Sequence, residues 1–408
     1  MHILWINDFA NFTGGCERYI YDTAALLKDR GVESSLIYDI VDTTEPRFTQ
    51  GFERGAYPRV DLDRQIRELS PDLIYVHRLG NSSALPILAA CGIPTVRFFH
   101  DHKLFCPREH KYTVLKKETC TRTVGFGCYT CLGIVNKFPP EQGLIRLTLP
   151  GMLRREQKQN ARTFTAIVTG SHYMADHIAA HGFDRSRIYP LPLYVPLPVE
   201  TPALQSVVRE KDLLLFVGQL TTGKSVDVLL SALVNTRTKV RLLIHGSGKF
   251  ESDYRALTST LGLNDRVTFG GKASGEALAL AYRRATAVVF PSRTPETFGL
   301  VGPEAMSHGT PVIATTVGGM TEWLEDEVTG LAISPNDTDA LTRAIDRLLY
   351  DDILRIRLSV YGKQRYQERF TPEQHIELLH RLFWELTGAT AQTPGSYAPR
   401  QSAERMAA

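Results

Sequence analysis

No apolar run in this 408-residue chain approaches the roughly 20 residues that a membrane-crossing helix needs. The stretch Met1 to Phe12 lacks a basic region ahead of an apolar core and soon meets Asp8, so no secretory leader is expected and a cytoplasmic protein is predicted. An excess of charge is also missing. Lys and Arg number 47 against 44 Asp and Glu, and +3 is no signal for a polyanion partner. Cysteine is sparse. In a reducing compartment six thiols are expected to be buried, reactive or metal-bound rather than paired as disulfides. The dinucleotide fingerprint G-x-G-x-x-G is absent too. Gly246 and Gly248 are followed by Glu251 where the third glycine would fall, which disfavours a nicotinamide enzyme.

What the chain does have is alternation. Short apolar strands are predicted at 3–6, 35–39, 73–77, 95–100, 166–170 and 188–193, with amphipathic stretches such as Tyr19 to Leu27 between them. After a proline-rich passage (190–205) the pattern restarts at 212–218, 241–246, 266–271, 287–292 and 311–315. Strands alternating with helices imply parallel sheets covered on both faces, and the length is too great for one ordinary core. The expected fold class is therefore α/β, with two doubly wound parallel-sheet domains. An N-terminal domain is expected over 1–195, a linker over 196–210 and a second domain over 211–370. A helix over 371–387 is expected to pack back on the first domain. The small, polar tail 388–408 is expected to be disordered. Such sheets bind ligands beyond the carboxyl ends of their strands, so two facing sheets predict one deep cleft.

Three loops carry candidate chemistry. Gly14 and Gly15 follow the first strand and precede a helix, where free N–H groups favour phosphate; a tight turn would use the same glycines. GQLTTGKS (218–225) satisfies the P-loop pattern in full, which makes a nucleotide triphosphatase a rival reading. That enzyme class also wants a carboxylate ending a neighbouring strand to hold magnesium, and the strands here run into His245, Gly270 and Ser292. Lys224 is in either case a candidate for a diphosphate. PETFGLVGPEA (295–305) sets Glu296 and Glu304 around an apolar, glycine-punctuated turn after a buried strand. Glu304 could merely complement a helix dipole and Glu296 a surface ion pair, but both together in this loop point to a binding role.

Taken with VGQLTTGKSVDVLLSAL, RVTFGGKASGEALALAYRRATAVVFPS, EAMSHGTPVIAT and the N-terminal TGGCERYIYDTAALLKDRGV, these motifs resemble the retaining glycosyltransferases of family 4, also called glycosyl transferases group 1. The likeness covers most of residues 1–385. It implies the GT-B fold, two Rossmann-like domains with a nucleotide-sugar donor (a UDP-sugar is expected) between them, and a sugar or lipid-linked acceptor. It further implies that Glu304 binds the donor ribose, and that Glu296 contacts the donor sugar and reacting centre. Phe298, Gly299, Leu300 and Val301 would offer backbone amides, Lys224 would bind phosphate, His100 would contact the sugar, and Gly14 and Gly15 would face the diphosphate. With lysine and amides on the leaving group, no catalytic metal is expected. Two departures stand out: Gln219 where the family usually has arginine, and Ser225 where it usually has glycine. The residual alternatives are a P-loop triphosphatase and a GT-B nucleotide-sugar epimerase. A zinc module that binds nucleic acid would rest on the cysteine loop alone, and two α/β domains argue against it; no nucleic-acid partner is expected.

Between His100 and residue 135 lies a cysteine-rich insertion (101–135). Cys106, Cys120, Cys128 and Cys131 follow a C-x13-C-x7-C-x2-C pattern, and four thiolates would close a structural zinc site. The insertion is basic, with Lys103, Arg108, Lys111, Lys116, Lys117 and Arg122 against Glu109 and Glu118. Residues 143–162 mix apolar and basic side chains, which suits peripheral contact with an anionic membrane at its inner face. Pro150 argues against one continuous helix there.

Overall fold

The computed structural model describes residues 1–113, 118–131, 134–137, 145–196 and 199–388. The expected tail from 389 onward, together with Lys116 and Lys117, lies outside the described residues. Among the described residues there are fifteen strands: β1 (His2–Phe9), β2 (Glu33–Ile40), β3 (Ala56–Pro58), β4 (Leu73–Val76), β5 (Thr95–Phe98), β6 (Val135–Lys137), β7 (Ile145–Leu147), β8 (Ala166–Thr169), β9 (Ile188–Pro190), β10 (Glu210–Val217), β11 (Arg241–His245), β12 (Val267–Gly271), β13 (Ala285–Phe290), β14 (Val312–Thr315) and β15 (Leu331–Ile333).

They form two fully parallel sheets and one small hairpin, β6–β7. The first sheet runs β3-β2-β1-β4-β5-β8-β9 and the second β12-β11-β10-β13-β14-β15. In both, the order reverses beside the first strand of the domain, between β1 and β4 and between β10 and β13. Crevices open at such switch points; the loops after β1, β10 and β13 hold Gly14, Gly15, Lys224 and Glu296, and His100 follows β5. The central strands are buried on both faces, as continuous apolar runs such as Ile3–Ile6 and Ala285–Phe290 require.

Each sheet has its own core. Leu214, Phe216, Val288, Phe290, Trp323 and Leu358 belong to the second domain's core. The last helix, Pro372–Thr387, instead packs Ile376, Leu379 and Phe383 into the first domain's core with Trp5, Tyr19 and Tyr75. His375 fastens it. The Pro192 carbonyl can only accept, so His375 Nδ1 donates to it at 2.8 Å and Nε2 accepts from the Tyr19 hydroxyl at 2.7 Å. Pro150 starts, rather than breaks, a helix over Pro150–Thr163, because proline's fixed φ and missing N–H suit the first turn.

Candidate functional site: the cleft at the two switch points

The loop after β13 is fastened from several sides. Glu296 pairs through its backbone with Gly318, and Gly319 N donates to the Glu296 carbonyl at 2.7 Å. Gly318 has φ +64, and a Cβ there would lie 2.4 Å from the Glu296 carbonyl oxygen, so only glycine lets the two loops meet. The first domain grips the same loop. His102 Nε2 donates to the Pro295 carbonyl at 2.9 Å, Ser171 Oγ to the Thr297 carbonyl at 2.6 Å, and Thr297 Oγ1 to the His100 carbonyl at 3.1 Å. Glu296 and His100, nearly 200 positions apart, thus become neighbours across the cleft.

Lys224 reaches Glu296 from the loop after β10. Its Nζ lies 2.7 Å from Oε1 and 2.8 Å from Oε2, and it sits 4.9 Å from the centre of the Phe290 ring. Ser292 Oγ also donates to Glu296 Oε1 at 2.7 Å. The two predicted ligands are therefore one ion pair, with side chains only 21% and 14% exposed. Sequence reasoning treated them separately.

The same geometry disfavours the P-loop reading. Thr222–Lys224 is one 3-10 turn, and Ser225, at φ +57, points its buried hydroxyl at the Gly223 carbonyl, 3.5 Å away. A P-loop serine must present that hydroxyl to magnesium. Glycine in this region serves backbone crossing instead: a Cβ on Gly246 would lie 1.8 Å from the Gly218 carbonyl oxygen.

Glu304 stands on the helix Val301–Ser307 and is half-buried. Its Oε2 accepts from the Tyr282 hydroxyl at 2.5 Å, so one carboxylate oxygen already has a partner. Burial pushes the Glu304 carboxyl above its ordinary value, and the Tyr282 hydrogen bond opposes that shift. Phe298 is buried and its carbonyl accepts from Trp323 Nε1 at 2.8 Å. Gly299, at φ +82, turns the chain, and Leu300 and Val301 are half-buried where the helix begins. Gly14 caps the helix Gly15–Lys28, and Gly15 is exposed with open space on its side-chain face. Gln219 is exposed beside Leu220.

His100 is coupled to a residue the sequence did not single out. His77 Nδ1 and His100 Nε2 share a hydrogen bond of 2.7 Å. Burial first, then the positive charges of Arg78 and Arg97, holds the His100 imidazole well below its usual range, so it is neutral at pH 7. His77 is held down in the same way, by burial, His100 and Arg97. With Cys16 these two are the ligand-type trio that comes within 4.8 Å among the described residues. A cavity of about 520 Å³ opens beside His100, lined in part by Arg78, Arg97, Lys103, Arg108 and Glu156. Arg97 Nε and Nη1 are buried without a hydrogen-bond partner among the described residues.

The insertion also reaches the cleft. Tyr112 and Thr222 share a hydrogen bond of 2.5 Å between their hydroxyls, and Thr119 Oγ1 donates to the Arg293 carbonyl at 3.0 Å.

With this geometry in place, similarity to known proteins becomes specific. A family model described as Glycosyltransferase Family 4 matches residues 13–197, and one described as Glycosyl transferases group 1 matches residues 204–365. This chain belongs to that family. A D-inositol 3-phosphate glycosyltransferase of Xylanimonas cellulosilytica is 32% identical over 237 residues, 54% of this chain and 56% of that protein. The chain spans about half the length of the curated relatives it matches. Among solved structures, Anabaena HepE in complex with UDP-glucose superposes with a TM-score of 0.68 at 18% identity, covering 94% of this chain and 100% of HepE. Sucrose-phosphate synthase from Thermosynechococcus elongatus gives 0.73 at 21% identity, covering 96% of this chain and 100% of that one. At those identities the likeness establishes the fold, which is GT-B, with both Rossmann-like domains matched.

Proposed function

We propose that the protein is a retaining glycosyltransferase. It would move a hexose from a UDP-sugar to a sugar or lipid-linked acceptor in the synthesis of a cell-surface polysaccharide or glycoconjugate. The observation that carries the reading is the Lys224–Glu296 pair, fixed at the second domain's switch point against the His100 backbone of the first. The UDP-glucose complex of HepE and the glycosyltransferase relatives support the donor class.

Breaking the anomeric C–O bond puts negative charge on the departing diphosphate and positive charge on the sugar ring. Lys224 stabilises the first, with backbone amides of Gly14, Gly15 and the Phe298–Val301 turn; Gln219 adds a polar but uncharged neighbour. Preorganised donors of this kind act where charge develops. The Glu296 carboxylate, released from Lys224 as the diphosphate takes the ammonium, lies at the sugar and the developing ring charge. Glu304 holds a ribose hydroxyl with the oxygen that Tyr282 leaves open. Neutral His100 hydrogen-bonds a sugar hydroxyl, and the cavity beside it receives the acceptor.

The charge on the leaving group is carried by protein groups, so donor binding should persist in EDTA. A thermal-shift screen against UDP-sugars, followed by a hydrolysis assay on each hit, tests the reading. Magnesium-dependent ATP turnover that Lys224→Ala abolishes, without UDP-sugar binding, would overturn it.

The reading extends to peripheral contact with the inner face of an anionic membrane. Phe126, Leu147, Leu149 and Met152 are exposed, and Arg154, Arg155 and Lys158 follow on the helix Pro150–Thr163. Among the described residues no helix is long and apolar enough to cross a membrane. Co-sedimentation with phosphatidylglycerol vesicles but not phosphatidylcholine vesicles, lost in Phe126→Ser/Met152→Ser, is the expected result; equal recovery with both would remove this extension.

A further inference from the structure

We propose that Cys106, Cys120, Cys128 and Cys131 bind one zinc ion as a closed tetrathiolate, and that this knuckle braces the insertion against the loop that carries Lys224. All four residues line one small cavity of about 30 Å³, although they come from three separate parts of the insertion. All four are free thiols and half-buried. The sulfurs stand further apart than bound thiolates would, since no three of them fall within the 4.8 Å that gathers Cys16, His77 and His100. Ligation must therefore draw the loop in, as expected where metal binding and local folding are coupled. Four soft ligands with no open position suit structural zinc.

The charges around the cavity are the second observation. Lys111 is 1% exposed and has φ +51, an uncommon conformation for a side-chain-bearing residue. Its ammonium donates to the Arg122 carbonyl at 2.5 Å, and its electrostatic neighbours are Cys120, Cys106 and Cys128. Arg108 and Arg122 line the same cavity, and Arg108 Nη1 is buried without a hydrogen-bond partner among the described residues. Burying an ammonium without a counter-charge is costly. Zinc with four thiolates carries two net negative charges, and Lys111 and Arg108 then face their counter-charge.

The brace follows from position. Tyr112 is next to Lys111, and Thr119 is next to Cys120. These two residues make the hydrogen bonds to Thr222 and to the Arg293 carbonyl. Loosening the knuckle would loosen the turn Thr222–Lys224. This half of the proposal rests on the glycosyltransferase reading; the metal half does not.

The test uses the full chain, expressed with zinc in the medium and purified without chelator. Elemental analysis should find one zinc per chain. X-ray absorption at the zinc edge should show four sulfur neighbours at about 2.3 Å. Cys128→Ser/Cys131→Ser should lose the metal. Substoichiometric zinc after reconstitution, equimolar iron, a nitrogen or oxygen shell, or full zinc in the double variant would each overturn the site. For the brace, Tyr112→Phe should keep its zinc and bind UDP roughly 2- to 10-fold more weakly. Unchanged UDP affinity in that variant would refute the brace while leaving the metal site standing. If wild type binds no UDP while zinc is present, the donor reading has failed and the metal site has not.

Discussion

The Lys224–Glu296 pair makes a prediction that a simple list of phosphate ligands would not. In the free protein both oxygens of Glu296 hold the Lys224 ammonium, at 2.7 and 2.8 Å. A diphosphate must share that ammonium or displace the carboxylate from it. Removing the lysine and removing the competing charge should therefore act in opposite directions on nucleotide affinity. A hydrogen bond to a charged group is worth about 1.5–3 kcal/mol net, which corresponds to roughly 10- to 150-fold in a dissociation constant. Lys224→Ala should weaken UDP binding within that range. Glu296→Gln keeps the shape and a hydrogen-bond acceptor for Ser292, which donates at 2.7 Å, but frees the ammonium. It should leave UDP affinity unchanged or tighten it by up to the same factor, while turnover falls. In the double variant the two effects should not add, because each acts through the other. Isothermal titration with UDP, on variants whose melting temperature and circular dichroism match wild type, reads all three. If Glu296→Gln weakens UDP as much as Lys224→Ala does, the competition argument is refuted.

Other expectations follow from neighbouring contacts. Gly302→Ala would set a Cβ 2.5 Å from the Trp323 ring beneath the helix that carries Glu304; overpacking of this kind costs roughly 1–3 kcal/mol and should appear as a lowered Tm. Tyr282→Phe removes the hydroxyl that opposes the upward shift of Glu304, so UDP affinity should begin to fall at a higher pH than in wild type as the solution is acidified, which titrations across pH 5–8 would read. Burial holds His102, His308 and His375 down at about 4, so their contribution to stability is complete above the unfolded value near 6.5 and is lost as pH falls from there through about 4. Each proton taken up only on unfolding adds a slope of roughly 1.4 kcal/mol per pH unit, and denaturant titrations at successive pH values should show it.

The longer parallel strands of both sheets were legible because they are apolar runs bounded by turn residues. The strands not anticipated, β3, β6, β7 and β15, are three residues long, too short to show a period. Glu296 and Glu304 stood out as two carboxylates around the turn after an apolar strand and Lys224 through its glycine-rich loop, whereas His100 came from the family resemblance alone. Their partners did not stand out. Tyr282 lies in a helix whose AYRRA stretch reads as ordinary amphipathic surface, and its tie to Glu304 exists only once β13 and β14 are paired. The Lys224–Glu296 bond spans 72 positions and the Thr297–His100 bond 197, and no local pattern encodes either. Tyr112 and Thr119 tie the insertion to the second domain across 110 and 174 positions, which no local pattern encodes either.

The central claim is that this cleft binds a UDP-sugar through Lys224 and transfers its sugar. The most direct measurement is titration of wild type and Lys224→Ala with UDP-glucose and related UDP-sugars in EDTA, with release of UDP followed in the same samples. The account predicts saturable one-to-one binding of at least one UDP-sugar to wild type, slow UDP release from it, and both weakened in Lys224→Ala. Wild-type protein that is folded yet binds none of them, or binds them equally well without Lys224, would contradict it.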